Sequence, residues 1–347
     1  MKRVISFLLL VVSTISVSQT EVLVSGLNNA SRLFLDGTTL YFTDATSLRK
    51  IDISISSPTP EIVVDGLNNA AGLFLDGNDM YVSDFSAGRI IKADVSLSNP
   101  VAEDVITGLD TPNGLVKFEN FLYFTDNNSD FLGRIDLNNP DPSVEIISVG
   151  LNRPLDLTIY ENLLFFSQSI PVSSTHRISQ VDISVDPPFI TEFSNDTDRP
   201  IGLSARTDFL LVAERDANIV SKIDITTGFK EIILSNLNSP VDIVSNETTL
   251  FLIEGENQNM ITKIDLILDK NDFLNSSEIK LLPNPAKDFL HVVGLNTLES
   301  FEIIDNKGVS VKKGILNLLE PIPTTNLAQG LYYLIINNNI SLRFIKE

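Results

Sequence analysis

A short apolar run ending in an acid or an amide occurs six times in this 347-residue chain. It reads Leu40-Tyr41-Phe42-Thr43-Asp44, Met80-Tyr81-Val82-Ser83-Asp84 and Leu122-Tyr123-Phe124-Thr125-Asp126 in the first half. It continues as Leu164-Phe165-Phe166-Ser167-Gln168, Leu210-Leu211-Val212-Ala213-Glu214 and Leu250-Phe251-Leu252-Ile253-Glu254. Successive runs begin 40, 42, 42, 46 and 40 residues apart. Ahead of each, at one fixed offset, stands Ala30, Ala70, Pro112, Pro154, Pro200 or Pro240. A period of this length marks one supersecondary unit that buries its apolar faces only against copies of itself.

Each unit carries four strand signals. The first follows the Ala/Pro position and ends at a turn such as Asp36-Gly37 or Asp76-Gly77, a strong hairpin dipeptide between apolar runs. The aromatic run is the second. The third ends in Ile51-Asp52, Ala93-Asp94, Ile135-Asp136, Val181-Asp182, Ile223-Asp224 or Ile264-Asp265, and the fourth resembles Ile62-Val63-Val64. Four strands per repeat is the pattern of a propeller blade. The sixth unit lacks a fourth strand, while Glu21-Val22-Leu23-Val24 precedes the first unit as a spare. Pairing the two closes the ring and protects an edge, with two apolar side chains on one face of that strand buried. A β-solenoid also stacks repeats but leaves no such complementary ends. The fold class expected is all-β: a six-bladed β-propeller over 19–267, plus a small C-terminal β-sandwich over 279–347, joined by a polar linker at 268–278.

The aromatic runs resemble the six-bladed propellers of the YWTD, NHL and gluconolactonase-like group. Tyr41-Phe42-Thr43-Asp44 and Tyr123-Phe124-Thr125-Asp126 are nearest to the YWTD motif, with Phe, Val or Leu in place of its tryptophan. The resemblance covers about 250 residues and implies a fold; function resides in sites grafted on folds.

Both ends carry addresses. Lys2-Arg3, the stretch Val4 to Val12, apolar but for Ser6, and Ser16-Val17-Ser18 read as a signal peptide over 1–18. No later stretch reaches ~18 consecutive apolar residues, so no transmembrane helix is expected. In the tail, Leu282-Pro283-Asn284-Pro285-Ala286-Lys287-Asp288, Gly330-Leu331-Tyr332-Tyr333-Leu334 and Phe344-Ile345-Lys346 occur in that order at the C-terminus. This resembles the type A sorting domain of the type IX secretion system. The resemblance implies engagement of that machinery, loss of the tail, and a product secreted from or held on the outer surface of a Gram-negative bacterium.

Composition narrows the chemistry. There is no Cys, which removes disulfides and thiolate sites, and only two His. A net charge of −20 argues against a nucleic-acid partner. The acidity lies in the repeats, since 279–347 holds seven Lys/Arg against six Asp/Glu.

Two polar rings are expected on one face of the ring: Asn28, Asn68, Asp110, Asn152, Asp198 and Asn238, and the run-ending Asp44, Asp84, Asp126, Gln168, Glu214 and Glu254. Side chains repeated in every blade point to turn-fixing backbone bonds. Function belongs where blades differ. Two residues after each Ala/Pro stand Arg32, Gly72, Gly114, Asp156, Gly202 and Asp242, expected to face the channel mouth. Their charges suit a cation or polar ligand, or an Arg–Asp pair. Asn113 sits in Pro112-Asn113-Gly114-Leu115, which matches the asparagine motif of gluconolactonase-like enzymes. Those enzymes hold a divalent metal with a Glu, an Asn and an Asp. No carboxylate occurs at the Asn113 position of the other blades, and Asp156 stands one residue late, toward the opposite face of its strand. Asp126, Asn128 and Asp130 alternate as in a calcium loop, without its glycine or distal Glu. His176 ends a long, partly apolar loop in the fourth unit, a candidate recognition loop.

Two functions follow as expectations. One is a secreted binding module without a cofactor, taking an extracellular protein, a glycan or a small ligand through Arg32, Asn113, Asp156, Asp242 and His176. The other is a metal-dependent hydrolase or lactonase.

Overall fold

A computed structural model describes residues 20–168, 176–185, 187–206, 208–246, 248–255 and 257–265 of the repeats. In the tail it describes 280–282, 286–287, 289–293, 299–316, 322–336 and 340–346. The expected signal peptide, the linker at 268–278 and the loop at 169–175 lie outside these residues. The chain forms two compact units, 1–267 and 268–347.

The first unit holds six four-stranded antiparallel sheets. Their innermost strands are Ala30–Asp36, Ala70–Asp76, Pro112–Phe118, Pro154–Tyr160, Pro200–Ala205 and Asp242–Ser245. The aromatic runs form the second strands and are buried on both faces. The reason is period-two alternation between two neighbours. Tyr41 packs with Met80 and Val82 of the next blade, while Leu40 and Phe42 pack with Phe251 and Ile253 of the blade before. Tyr81 meets Leu122 and Phe124, Tyr123 meets Leu164 and Phe166, and Phe165 meets Leu210 and Val212. Each such side chain contributes roughly 1.5–3 kcal/mol by burial.

Ring closure is as the repeats predict. Glu21–Ser25 is the outermost strand of the sixth sheet and pairs antiparallel with Met260–Asp265. The amides of Leu27 and Ala30 donate to the carbonyls of Asn259 and Gln258 at 3.0 and 3.1 Å. Leu67 and Ala70 repeat this linkage onto Thr46 and Ala45 one blade on. One detail departs from the alternation rule. The register shifts between Val22 and Val24, and consecutive Leu23 and Val24 are both buried while Val22 is 53% exposed. A bulge turns two successive side chains inward. Every intact blade has the same shift between its third and fourth strands.

In the tail, strands Ser310–Leu316, Glu299–Asp305, Gly330–Ile336 and Ile340–Lys346 form one sheet in that order. Lys280–Leu282, Phe289–Val293 and Ile322–Pro323 form another. Leu281, Leu290, Ile303, Leu334 and Phe344 share one buried cluster. Ser310–Leu316 is an edge strand, largely exposed, so it has no apolar period to read.

Candidate functional site

The run-ending residues pin the segment that enters each blade. Each accepts the amide of the residue sixteen positions back: Asn28 onto Asp44 at 2.6 Å, Asn68 onto Asp84 at 2.6 Å, Asp110 onto Asp126 at 3.0 Å. Asn152 onto Gln168, Asp198 onto Glu214 and Asn238 onto Glu254 follow at 2.8, 2.7 and 2.9 Å. A neutral amide serves in the fourth blade because the task requires only an acceptor. The hydroxyls one residue earlier reach the next blade: Thr43 Oγ1 donates to Ala71 O at 3.1 Å and Ser83 Oγ to Asn113 O at 2.7 Å. These interblade bonds went unread in the sequence, although Thr or Ser precedes the terminal residue in four runs.

The loop with the calcium-like alternation is part of this scaffold. Asp126 is fully buried, and its oxygens accept the amides of Asp110, Thr111 and Ser129. Asp130 accepts the Arg153 amide at 2.9 Å, and Asn128 lies 3.5 Å from the Arg153 guanidinium.

On the axis, Arg32 of the first blade crosses to the fourth, opposite it in a six-membered ring. Its Nε meets Asp156 Oδ1 at 3.0 Å and its Nη2 donates to Asn113 Oδ1 at 3.1 Å. Both carboxylates also tie blades: Asp156 Oδ2 accepts the Leu203 amide at 2.7 Å, and Asp242 Oδ2 accepts the Leu33 amide at 2.6 Å. Asp242 is 2% exposed. Burial, then the neighbouring Asp156 charge, push its carboxyl up to about 8, against the opposing pull of Arg32. The glycines of this ring are the thin places: a Cβ on Gly114 or Gly202 would overlap the next inner strand.

Asn113 and Asp156 thus meet at one guanidinium, where simple alternation sends them to opposite faces. Register breaks between Pro112 and Leu115, and between Pro154 and Leu157, leave these residues outside the regular pleat.

Arg32 lies between two cavities of about 230 Å³ each. The inner one is lined by Asp156, Asp242 and apolar side chains such as Leu33 and Phe74. The outer one, the mouth, is lined by the ring one residue earlier than expected: Ser31, Asn113, Leu155, Ile201 and Val241. Of the sequence candidates, Arg32 and Asn113 reach the mouth, and Asp156 and Asp242 lie beyond Arg32. His176 lines neither cavity. It gathers with Asp198 and Asp216, their ligand-type atoms within 4.8 Å of one another, but Asp216 already pairs with Arg199 at 3.1 Å.

The mouth also holds Arg153, Arg199 and Arg215, which sequence reasoning passed over. Arg153 and Arg199 directly precede Pro154 and Pro200, where the first two blades have Asn29 and Asn69. All four take left-handed backbone, with φ of 47° and 52° for the arginines. Asn accepts that conformation readily; a long side chain there costs on the order of 1 kcal/mol.

Residues 280–346 match the secretion system C-terminal sorting domain. The tail is such a domain, and it supports secretion of the chain. Among curated proteins, none matches this sequence. Solved structures are similar in fold. A gluconolactonase from Xanthomonas campestris aligns at TM-score 0.60 and 14% identity, over 71% of this chain and 89% of its own. A putative oxidoreductase (glucose dehydrogenase) from Thermus thermophilus aligns at 0.57 and 13%, over 71% and 99%. An auxiliary nutrient binding protein from Bacteroides thetaiotaomicron aligns at 0.56 and 16%, over 69% of both chains. No helix among the described residues is long and apolar enough to cross a membrane.

Proposed function

We propose that this chain is an exported propeller that acts as a binding module, holding an extracellular ligand in the mouth above Arg32. The observation that carries the reading is the guanidinium seated between Asn113 and Asp156. The lactonase alternative asks Asn113 and a carboxylate to hold a divalent metal there. Both oxygens already accept from Arg32, a fixed positive charge that repels a second cation. These residues therefore do not fit the metal, and we derive no hydrolytic step. What remains is a concave, five-blade mouth of unrepeated side chains over a rigid ring, a form suited to recognition.

The test uses purified full-length chain, γ-lactone substrates and added divalent metals. No metal-dependent lactone hydrolysis is expected. Hydrolysis that stops on chelation and returns with metal overturns the reading. For export, we propose passage by the signal peptide and then by the type IX machinery through 279–347. Intact-mass analysis should find a secreted product starting near Gln19 and lacking roughly the last 70 residues. Full-length protein held in the periplasm of a competent host would refute that route.

A further inference from the structure

The mouth is an island of positive charge in a chain of net charge −20. Arg153, Arg199 and Arg215 line it, and no Asp or Glu does. Their charges are poorly compensated. Among the described residues no carboxylate lies within 4.0 Å of the guanidinium group of Arg153 or Arg215. The Arg153 guanidinium donates only to amide oxygens of Asn127 and Asn128, its backbone amide going to Asp130. Arg199 pairs with Asp216 through Nη1, while its Nε is buried without a partner. Buried donors are nearly always satisfied, so a lone one asks for an acceptor. The arginines are also held close: the Arg215 amide donates to the Arg199 carbonyl at 3.1 Å. Desolvation, then the Arg199 charge, lower the Arg215 pKa against the opposing pull of Asp216, as for a cation that is partly buried beside another. Two of the three sit on left-handed backbone, and such strain collects at ligand clamps. Leu155, Ile201 and Val241 line the same cavity and supply apolar surface beside them.

We infer that the mouth recognises a small organic anion, its carboxylate or phosphate on Arg153, Arg199 and Arg215 and its apolar body against Leu155, Ile201 and Val241. This rests on the binding-module reading and deepens it. Guanidinium groups suit either oxyanion, because each presents a planar fork of donors. Arg32, already neutralised by Asp156, forms the floor and is not counted as a clamp. A concave site with low-dielectric walls strengthens the attraction even against an acidic exterior.

The experiment is calorimetry on the full-length chain with benzoate, phenyl phosphate and the neutral analogue benzamide, at low and high salt. A glycan array and an extracellular-protein pull-down run in parallel. One or both anions should bind, more weakly as salt rises. Benzamide should bind about tenfold less well or worse, the loss of one charge-assisted hydrogen bond. Arg153→Gln and Arg215→Gln should each weaken the anion about tenfold, whereas Arg134→Gln, at the remote Glu145 pair, should not. If either variant fails to melt cooperatively, Arg153→Lys and Arg215→Lys keep the charge and should keep salt-dependent binding. Equal affinity for benzoate and benzamide overturns the anion inference and leaves the binding module standing. Binding only on the array or in the pull-down, untouched by the Arg variants, does the same. No binding in any arm overturns both.

Discussion

The ring of run-ending acids and the mouth are built from adjoining positions of one repeat, and they differ in what repetition does to them. At the ring, six blades supply an acceptor, and every one holds the amide sixteen residues back. At the mouth, the same inner-strand position is Ser31, Ala71, Asn113, Leu155, Ile201 and Val241. The rim position before it is Asn in two blades and Arg in two others. A side chain that every blade carries is fixing the blade's own entry. Side chains that only one or two blades carry are not bound to that duty: Asp156 and Asp242 still tie blades, whereas Arg153, Arg199 and Arg215 are where we propose recognition.

The closing strand belongs to the repeated half of this contrast and carries the largest expected effect. Deleting 21–25 removes the burial of Leu23 and Val24, about 1.5–3 kcal/mol each, together with the ladder to Met260–Asp265. The loss approaches a large share of the ~5–15 kcal/mol that stabilises a typical domain. The thermal melt should fall steeply or lose cooperativity. Deleting 268–347 should leave the propeller melt in place. The reverse pattern would break the ring-closure account.

Next comes the junction between the two regions. Arg32→Met leaves Asp156 buried with its charge unpaired and should cost about 3–5 kcal/mol in urea unfolding. Arg32→Met with Asp156→Asn should recover part of that loss. A silent single variant would mean that the crossing pair does not brace the axis. Within the ring itself, Asp126→Ala orphans the amides of Asp110, Thr111 and Ser129. It should cost about 1–3 kcal/mol, with Asp126→Asn nearer wild type, as Gln168 shows that a neutral acceptor serves.

Much of this is legible in the sequence, and the misses have two causes. The blade count, the strand order and the spare strand follow from spacing, because six copies of a pattern average out local noise. The acid ring was read as structural for the same reason. The mouth was placed one residue late because alternation was carried through the start of the inner strand. There the pleat is interrupted between Pro112 and Leu115 and in its equivalents, and a one-residue slip exchanges the faces. Arg153 and Arg199 were missed although they stand beside Pro154 and Pro200. The signal was present as Arg where earlier blades have Asn, a substitution that composition alone does not flag.

The smallest expected effect isolates Asp242, which belongs to neither group cleanly: it ties the sixth blade to the first, yet only the fourth and sixth blades have such an Asp. Its carboxyl pKa is raised in the folded chain, first by burial and then by Asp156. The folded state therefore holds a proton that the unfolded state releases above the ordinary carboxylate range. By linkage, stability is greatest below that range and falls as pH rises from about 4 toward 8. The slope from one group is at most about 1.4 kcal/mol per pH unit. Between pH 6 and 7 the urea midpoint should drift down, and Asp242→Asn, which keeps an acceptor for the Leu33 amide, should flatten the drift. Acids whose pKa is lowered in the fold, such as Asp52 accepting the Ser54 hydroxyl and amide, work in the opposite sense, but over the acid range. Their contribution is already complete by pH 6. A midpoint that rises from pH 6 to 7, or a slope that Asp242→Asn leaves intact, would show that Asp242 is ionised in the fold. The axis would then carry two charged carboxylates against a single Arg32.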